Sequence, residues 1–245
     1  MRYAWLLLIS VNLFGHDFWI EPSTFHPAVG QTVMLGLRVG QDFIGDPVAR
    51  SAQLIDAFTA RDARREQPVN GFENRDPAGF VLIERDGVAV VAYRSKANFV
   101  ELPPQKFAEY LKLEGLDWIS DTRGHREHFF RYAKTLLRTG SSSSPPSHIR
   151  DFRYDIVPES DPWSAKPLRV RLLFEGKAAR GVLVTAIHRD DPSLRVSARA
   201  DAHGRATLKL PKGGVWLIKS VYMIEAPKDS GVDWESLWAS VTFER

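Results

Sequence analysis

Leu168-Arg169-Val170-Arg171-Leu172-Leu173-Phe174 is the stretch whose reading decides the fold. Leu168, Val170, Leu172 and Phe174 fall on one side of an extended chain and Arg169 and Arg171 on the other, as a half-buried strand requires. Five more short apolar runs follow, at 182–187, 194–200, 206–210, 215–224 and 238–243. They are punctuated by Glu175-Gly176-Lys177, Asp201-Ala202-His203-Gly204 and Lys212-Gly213-Gly214, and glycine-bearing segments of this kind turn antiparallel strands. Six strands in about eighty residues predict a β-sandwich.

Upstream, residues 32–39 alternate in the same way, with Val33, Leu35, Leu37 and Val39 opposed to Met34, Gly36 and Arg38. Runs at 80–83 and 88–93 flank Asp86-Gly87, which predicts a tight hairpin. Between 105 and 139 the period becomes helical: Phe107, Tyr110 and Leu111 share one face, and Phe129 or Phe130, Ala133, Leu136 and Leu137 recur at three and four residues. Glu127 and Arg131 stand four apart, as helix-surface partners do. Residues 139–147, Thr-Gly-Ser-Ser-Ser-Ser-Pro-Pro-Ser, cannot bury a core and mark a boundary. The expected architecture is mainly β: two immunoglobulin-like or transthyretin-like β-sandwiches, at 16–147 and 148–245, with a helical insertion at about 105–139 in the first.

Met1-Arg2-Tyr3 and the largely apolar run from Ala4 to Gly15 read as a signal peptide. The run is shorter than the roughly 20 residues a membrane-spanning helix needs. Cleavage after Gly15 would release a periplasmic or secreted protein starting at His16, with no transmembrane segment in the mature chain. The 245 residues include no cysteine, which removes disulfides and a lipid-modified cysteine anchor and leaves burial to stabilise the fold. Lys and Arg number 33 against 30 Asp and Glu, a balance that argues against a nucleic-acid partner.

Three segments taken together, His16-Asp17-Phe18-Trp19-Ile20-Glu21-Pro22, His125-Arg126-Glu127-His128-Phe129-Phe130-Arg131-Tyr132-Ala133-Lys134 and Asp233-Trp234-Glu235-Ser236-Leu237-Trp238-Ala239-Ser240, resemble the DUF4198 family of exported bacterial proteins. Some members of that family are described as periplasmic components of nickel or cobalt uptake, so the resemblance implies metal binding and delivery to a membrane transporter or outer-membrane receptor. Gly176-Lys177, Val182-Leu183-Val184, Ala200-Asp201-Ala202-His203-Gly204-Arg205 and Gly214-Val215-Trp216 are also similar to transthyretin-like and carboxypeptidase-regulatory sandwiches. On the strand after Gly-x-Trp, Tyr222 stands where the resemblance leads us to expect a histidine in many relatives.

An amino-terminal His16 would close a chelate ring through its amine and imidazole, a nitrogen donor pair suited to nickel, cobalt or copper as the free ion or a metal chelate. Affinity would fall in acid as both nitrogens protonate. His26, His125, His128, His148, His188 and His203 are the imidazoles available to complete such a site, and His125, His188 and Tyr222 join His16 as the candidate ligands. The simpler reading keeps Phe18, Trp19, Ile20 and Phe25 as a core strand with no metal. Arg126, Glu127, Arg131, Tyr132 and Lys134 form either an anion or metal-chelate site or a solvated helix face. Trp216, Trp234 and Trp238 line a pocket or fill the core. There is no Gly-x-Ser-x-Gly elbow, His-Glu-x-x-His pair or phosphate loop, so a non-catalytic role is expected. The alternative to metal delivery is an envelope interaction or structural module without metal.

Overall fold

Alternating and continuous apolar runs become strands through most of the described chain, residues 16–120, 125–141 and 152–245 of a computed structural model. In chain order these are β1 Asp17–Pro22, β2 Thr32–Gln41, β3 Ile44–Val48, β4 Ile55–Arg61, β5 Glu66–Pro68, β6 Gly79–Leu82, β7 Gly87–Ser95 and β8 Asn98–Leu102. Helix α1, Pro104–Leu113, intervenes before β9 His125–Thr139 and β10 Tyr154–Pro158. Then come β11 Leu168–Phe174, β12 Lys177–Ala178, β13 Leu183–His188, β14 Asp191–Arg199, β15 Arg205–Leu208, β16 Val215–Glu225 and β17 Trp234–Glu244.

One nine-stranded sheet organises the molecule, in the order β14-β13-β16-β17-β9-β7-β4-β5 with β8 also on β9. Two smaller sheets cover it, β1-β2-β3 with β6 on one face and β10-β11-β12 with β15 on the other. The protein is therefore mainly β, two sandwiches sharing a central sheet. Leu168, Val170 and Leu172 of β11 pack against Val184, Trp216, Leu237 and Leu136 in the larger core. Val33, Leu35 and Leu37 of β2 pack against Phe58, Val91 and Leu137 in the second. Phe18 and Ile20 of β1 join that second core, so the amino-terminal strand is integral to it. The central sheet draws strands from both sides of residue 147, and β17 pairs with β9 in parallel from Trp234↔Glu127 to Thr242↔Thr135.

Two local expectations are corrected. The helical insertion expected at about 105–139 holds only over α1; residues 125–139 form β9, the longest described strand. Phe130, Tyr132 and Leu136 face one core while Ala133 and Leu137 face the other. A strand buried on both faces loses its alternation, and its apolar spacing imitates a helix. Glu127 and Arg131, as strand residues four apart, are separated by about 13 Å and do not pair. The expected hairpin at Asp86-Gly87 is likewise absent: β6 pairs with β2, whereas β7 pairs with β4 and β9. The turn there carries the chain between sheets.

Helix α1 forms because Pro104 opens it and Phe107, Tyr110 and Leu111 bury one face. It stops at Gly115, whose φ of +66° is left-handed; the Gly115 N–H donates to Lys112 O and the Leu116 N–H to Leu111 O at 2.8 Å. That double closure fixes the cap residue, Glu114, over the central sheet. Among the described residues no helix is long and apolar enough to cross a membrane.

Candidate functional site

His16 directly precedes β1, which pairs with β2 from Asp17↔Gly40 onward. The Asp17 carboxylate is buried and lies 2.5 Å from Lys219 Nζ on β16. The same ammonium donates to Glu114 Oε1 at 2.8 Å, joining the start of β1, the end of α1 and the middle of the central sheet. Burial alone would depress the Lys219 ammonium, but Asp17 and Glu114 outweigh it and hold it above its ordinary value. Burial pushes the Glu114 carboxyl up to about 7 against the pull of Lys219, and the Asp17 charge adds to the rise.

Arg131 of β9 lies on this side of the sheet, its Cζ 5.0 Å from the Phe18 ring centre and 5.1 Å from that of Phe129. Burial lowers its guanidinium to about 10, against the opposing influence of Tyr93 and Asp17. Farther along β9, Glu127 is buried with Oε2 unpartnered. Burial raises this carboxyl to about 8 although the Ser236 hydroxyl favours its charge. The Trp238 indole N–H donates to Ser236 Oγ at 3.0 Å, and Tyr110 stacks on Trp238. Trp216, Trp234 and Trp238 are all buried core residues.

The four candidate metal ligands are dispersed. His125, at the start of β9, is buried with its ring centre 4.5 Å from Phe107 and Nδ1 3.8 Å from Asp233 Oδ2. His188 is fully buried at the end of β13, with Nε2 2.8 Å from Gly213 O and the ring edge-on to Trp216. His188 pairs with Trp216, which pairs with Phe243, whereas His125 adjoins the Glu127↔Trp234 pair nine residues back along β17. At a strand rise of 3.3 Å per residue the two imidazoles lie about 30 Å apart. Tyr222 packs against Tyr154 and Phe174 in the larger core, on the same side of the central sheet as His188 and away from His125. His16 alone of the four stands beside the Asp17, Lys219 and Glu114 network. Among the described residues no group of three or more His, Asp or Glu is placed to hold a metal ion.

Of the remaining imidazoles, His26 is 3.7 Å from Glu244, His128 meets Phe99 edge-on, and His203 is exposed in its turn. There Asp201 Oδ1 accepts from the backbone N–H groups of His203 and Arg205. His148, the leader at 1–15 and the boundary after Ser141 lie outside the described residues. The cluster read at 126–134 is split by the strand. Glu127 and Arg131 lie on one face and Lys134 on the other, ion-paired with Asp155. The Lys219 network was missed from sequence, although a lone ammonium inside Val215-Trp216-Leu217-Ile218-Lys219 signals a buried partner.

None of the curated proteins matches the chain. A solved structure described as the D0-D1 domain of Intimin aligns over 93% of this chain and 97% of that one, at 11% identity and a TM-score of 0.20. That superposition is too loose to carry an argument. The family model for DUF4198, a domain of unknown function, matches residues 13–224 and thus spans β1 through most of β16. The chain belongs to the DUF4198 family.

Proposed function

We propose that this protein is an exported, non-catalytic metal carrier that takes a divalent transition-metal ion, nickel or cobalt, at a mature amino-terminal His16 and hands it to a membrane transporter. The supporting observation is the anchoring of the residue after it: Asp17 is buried, paired into β1 and bonded to Lys219. A chelate at His16 would start from a fixed backbone, and the ordering cost on binding would be small. The amine and imidazole nitrogens suit nickel, cobalt or copper as cargo, and acid releases it by protonating both.

Intact mass of the exported protein tests the first requirement, because a mature start at any residue but His16 removes the chelate. Calorimetry with Ni(II), Co(II) and Cu(II) on that material, against His16→Ala, tests the second. Loss of about tenfold or more in affinity is expected on substitution, and unchanged affinity refutes the carrier reading. The second reading, an envelope interaction module without metal, draws on the exposed Trp118 and Phe72, 61% and 71% accessible. Absence of metal binding by the His16-started protein would favour it.

A further inference from the structure

We propose that Arg131 anchors a small-molecule carboxylate next to the Phe18 and Phe129 rings, on the face of the central sheet that β1 covers. Several arginines elsewhere in the fold find acids, Arg38 with Glu21 and Asp76, Arg94 with Asp56, Arg153 with Glu235 and Arg205 with Glu159, and Arg50 and Arg245 find backbone carbonyls. Among the described residues the Arg131 guanidinium has no hydrogen-bond acceptor and no ion-pair partner; only its backbone N–H is bonded, to Ser95 Oγ at 2.9 Å. A guanidinium carries five N–H donors and is costly to crowd into protein without an oxygen acceptor. The aromatic rings of Phe18 and Phe129 attract the cation but accept none of those hydrogen bonds in the way an oxygen does.

The backbone opens at the same place. Strand β7 pairs with β9 as far as Arg94↔Tyr132, and β8 takes over only at Asn98↔Phe129. Between them Lys96 and Ala97 leave the sheet, and that side of β9 has no ladder neighbour alongside Arg131. The residue is half-buried, and none of its nitrogens is among the sealed polar atoms that lack a partner. The donors therefore remain within reach of solvent and of a solute.

Lys219 is a second cation on this face, in contact with Asp17, whose charge also acts on Arg131. Within this group Asp17 and Glu114 are already committed to Lys219, which leaves Arg131 as the cation without its own acid. A planar carboxylate matches the fork of a guanidinium through two parallel N–H···O bonds, whereas tetrahedral phosphate is also served by a simple point charge. The proposal requires no metal at His16, so the two readings fail separately.

The test is calorimetry of the mature protein, stripped on a chelating resin, titrated with citrate and, separately, with inorganic phosphate. Citrate is expected to bind about tenfold or more tightly than phosphate, and Arg131→Gln to lose about tenfold or more of that affinity. Arg131→Lys keeps the charge without the fork and should erase the preference for citrate over phosphate. If Arg131→Gln fails to fold, judged by circular dichroism, Arg131→Lys alone decides. No citrate binding at millimolar concentration, equal binding of the two anions, or affinity unmoved by the substitutions overturns the proposal.

Discussion

Replacing Lys219 with Met removes the one ammonium on which two buried carboxyls depend. Asp17 and Glu114 are only 4% and 3% exposed, and their oxygens lie 2.5 and 2.8 Å from Nζ. Breaking a buried ion pair by deleting one partner costs roughly 3–5 kcal/mol, because the remaining charge stays desolvated. The loss should depend on pH, and Glu114 sets the direction. Its carboxyl titrates at about 7 in the folded protein, above the ordinary 4.5, so the stability contributed by its protonated form is complete below 4.5 and is lost as pH rises through 7. At pH 5 Glu114 is protonated in the fold, and the variant loses mainly the contact between Asp17 and Lys219. At pH 8 it also loses the ammonium that made ionised Glu114 tolerable. We expect a loss of about 4 kcal/mol at pH 8 and about 2 kcal/mol at pH 5. The corresponding drop in Tm at pH 8 is about 10 °C for a chain of this size. Urea unfolding and thermal scans at both pH values measure it, and Lys219→Met with Glu114→Gln should recover the pH-dependent part. A loss below about 1 kcal/mol at pH 8, or the same loss at both pH values, would refute the reasoning.

Glu127→Gln should make the stability curve shallower: burial holds Glu127 at about 8, so the wild type loses stability from this group as pH rises from 4.5 through 8, and the variant keeps only the loss due to other groups such as Glu114. Urea midpoints at pH 5 and 8.5 compare them, and equal slopes count against a buried neutral carboxyl. Lys134→Met strands Asp155, which is fully buried, and should cost roughly 3–5 kcal/mol, whereas Lys134→Met with Asp155→Leu should recover most of it. A double-mutant cycle with no coupling would show that the pair contributes nothing.

Legibility of the fold followed the number of covered faces. Strand β11, with Arg169 exposed and Arg171 half-buried, kept its alternation and is observed over the stretch expected. Strands β2, β13 and β15 lie within a few residues of their expected places, and so does β16, a continuous apolar run buried on both faces and bounded by glycines at its start. β9 was misread because its sides meet different cores, and no residue count within 125–139 records that. The hairpin at Asp86-Gly87 failed differently: turn chemistry there is genuine, yet the partner of each strand is fixed by burial far away in sequence. At the candidate site, His16 and Asp17 were visible as an amino-terminal motif. The role of Lys219 and Glu114 was not, because it depends on a helix cap meeting a strand 105 positions later.

The parallel pairing of β9 with β17 bears on how the molecule is assembled. Strand β9 is complete in sequence by Thr139, yet its neighbour on one side does not begin until Trp234. A ribosome or a translocation pore delivering the chain from its amino end must leave β9 with an unsatisfied edge for nearly a hundred residues of synthesis. Contacts of such sequence separation slow the search for the native topology. Acquisition of the final sheet should therefore be a late event, and excision of the eleven residues of β17 should unravel both sandwiches together.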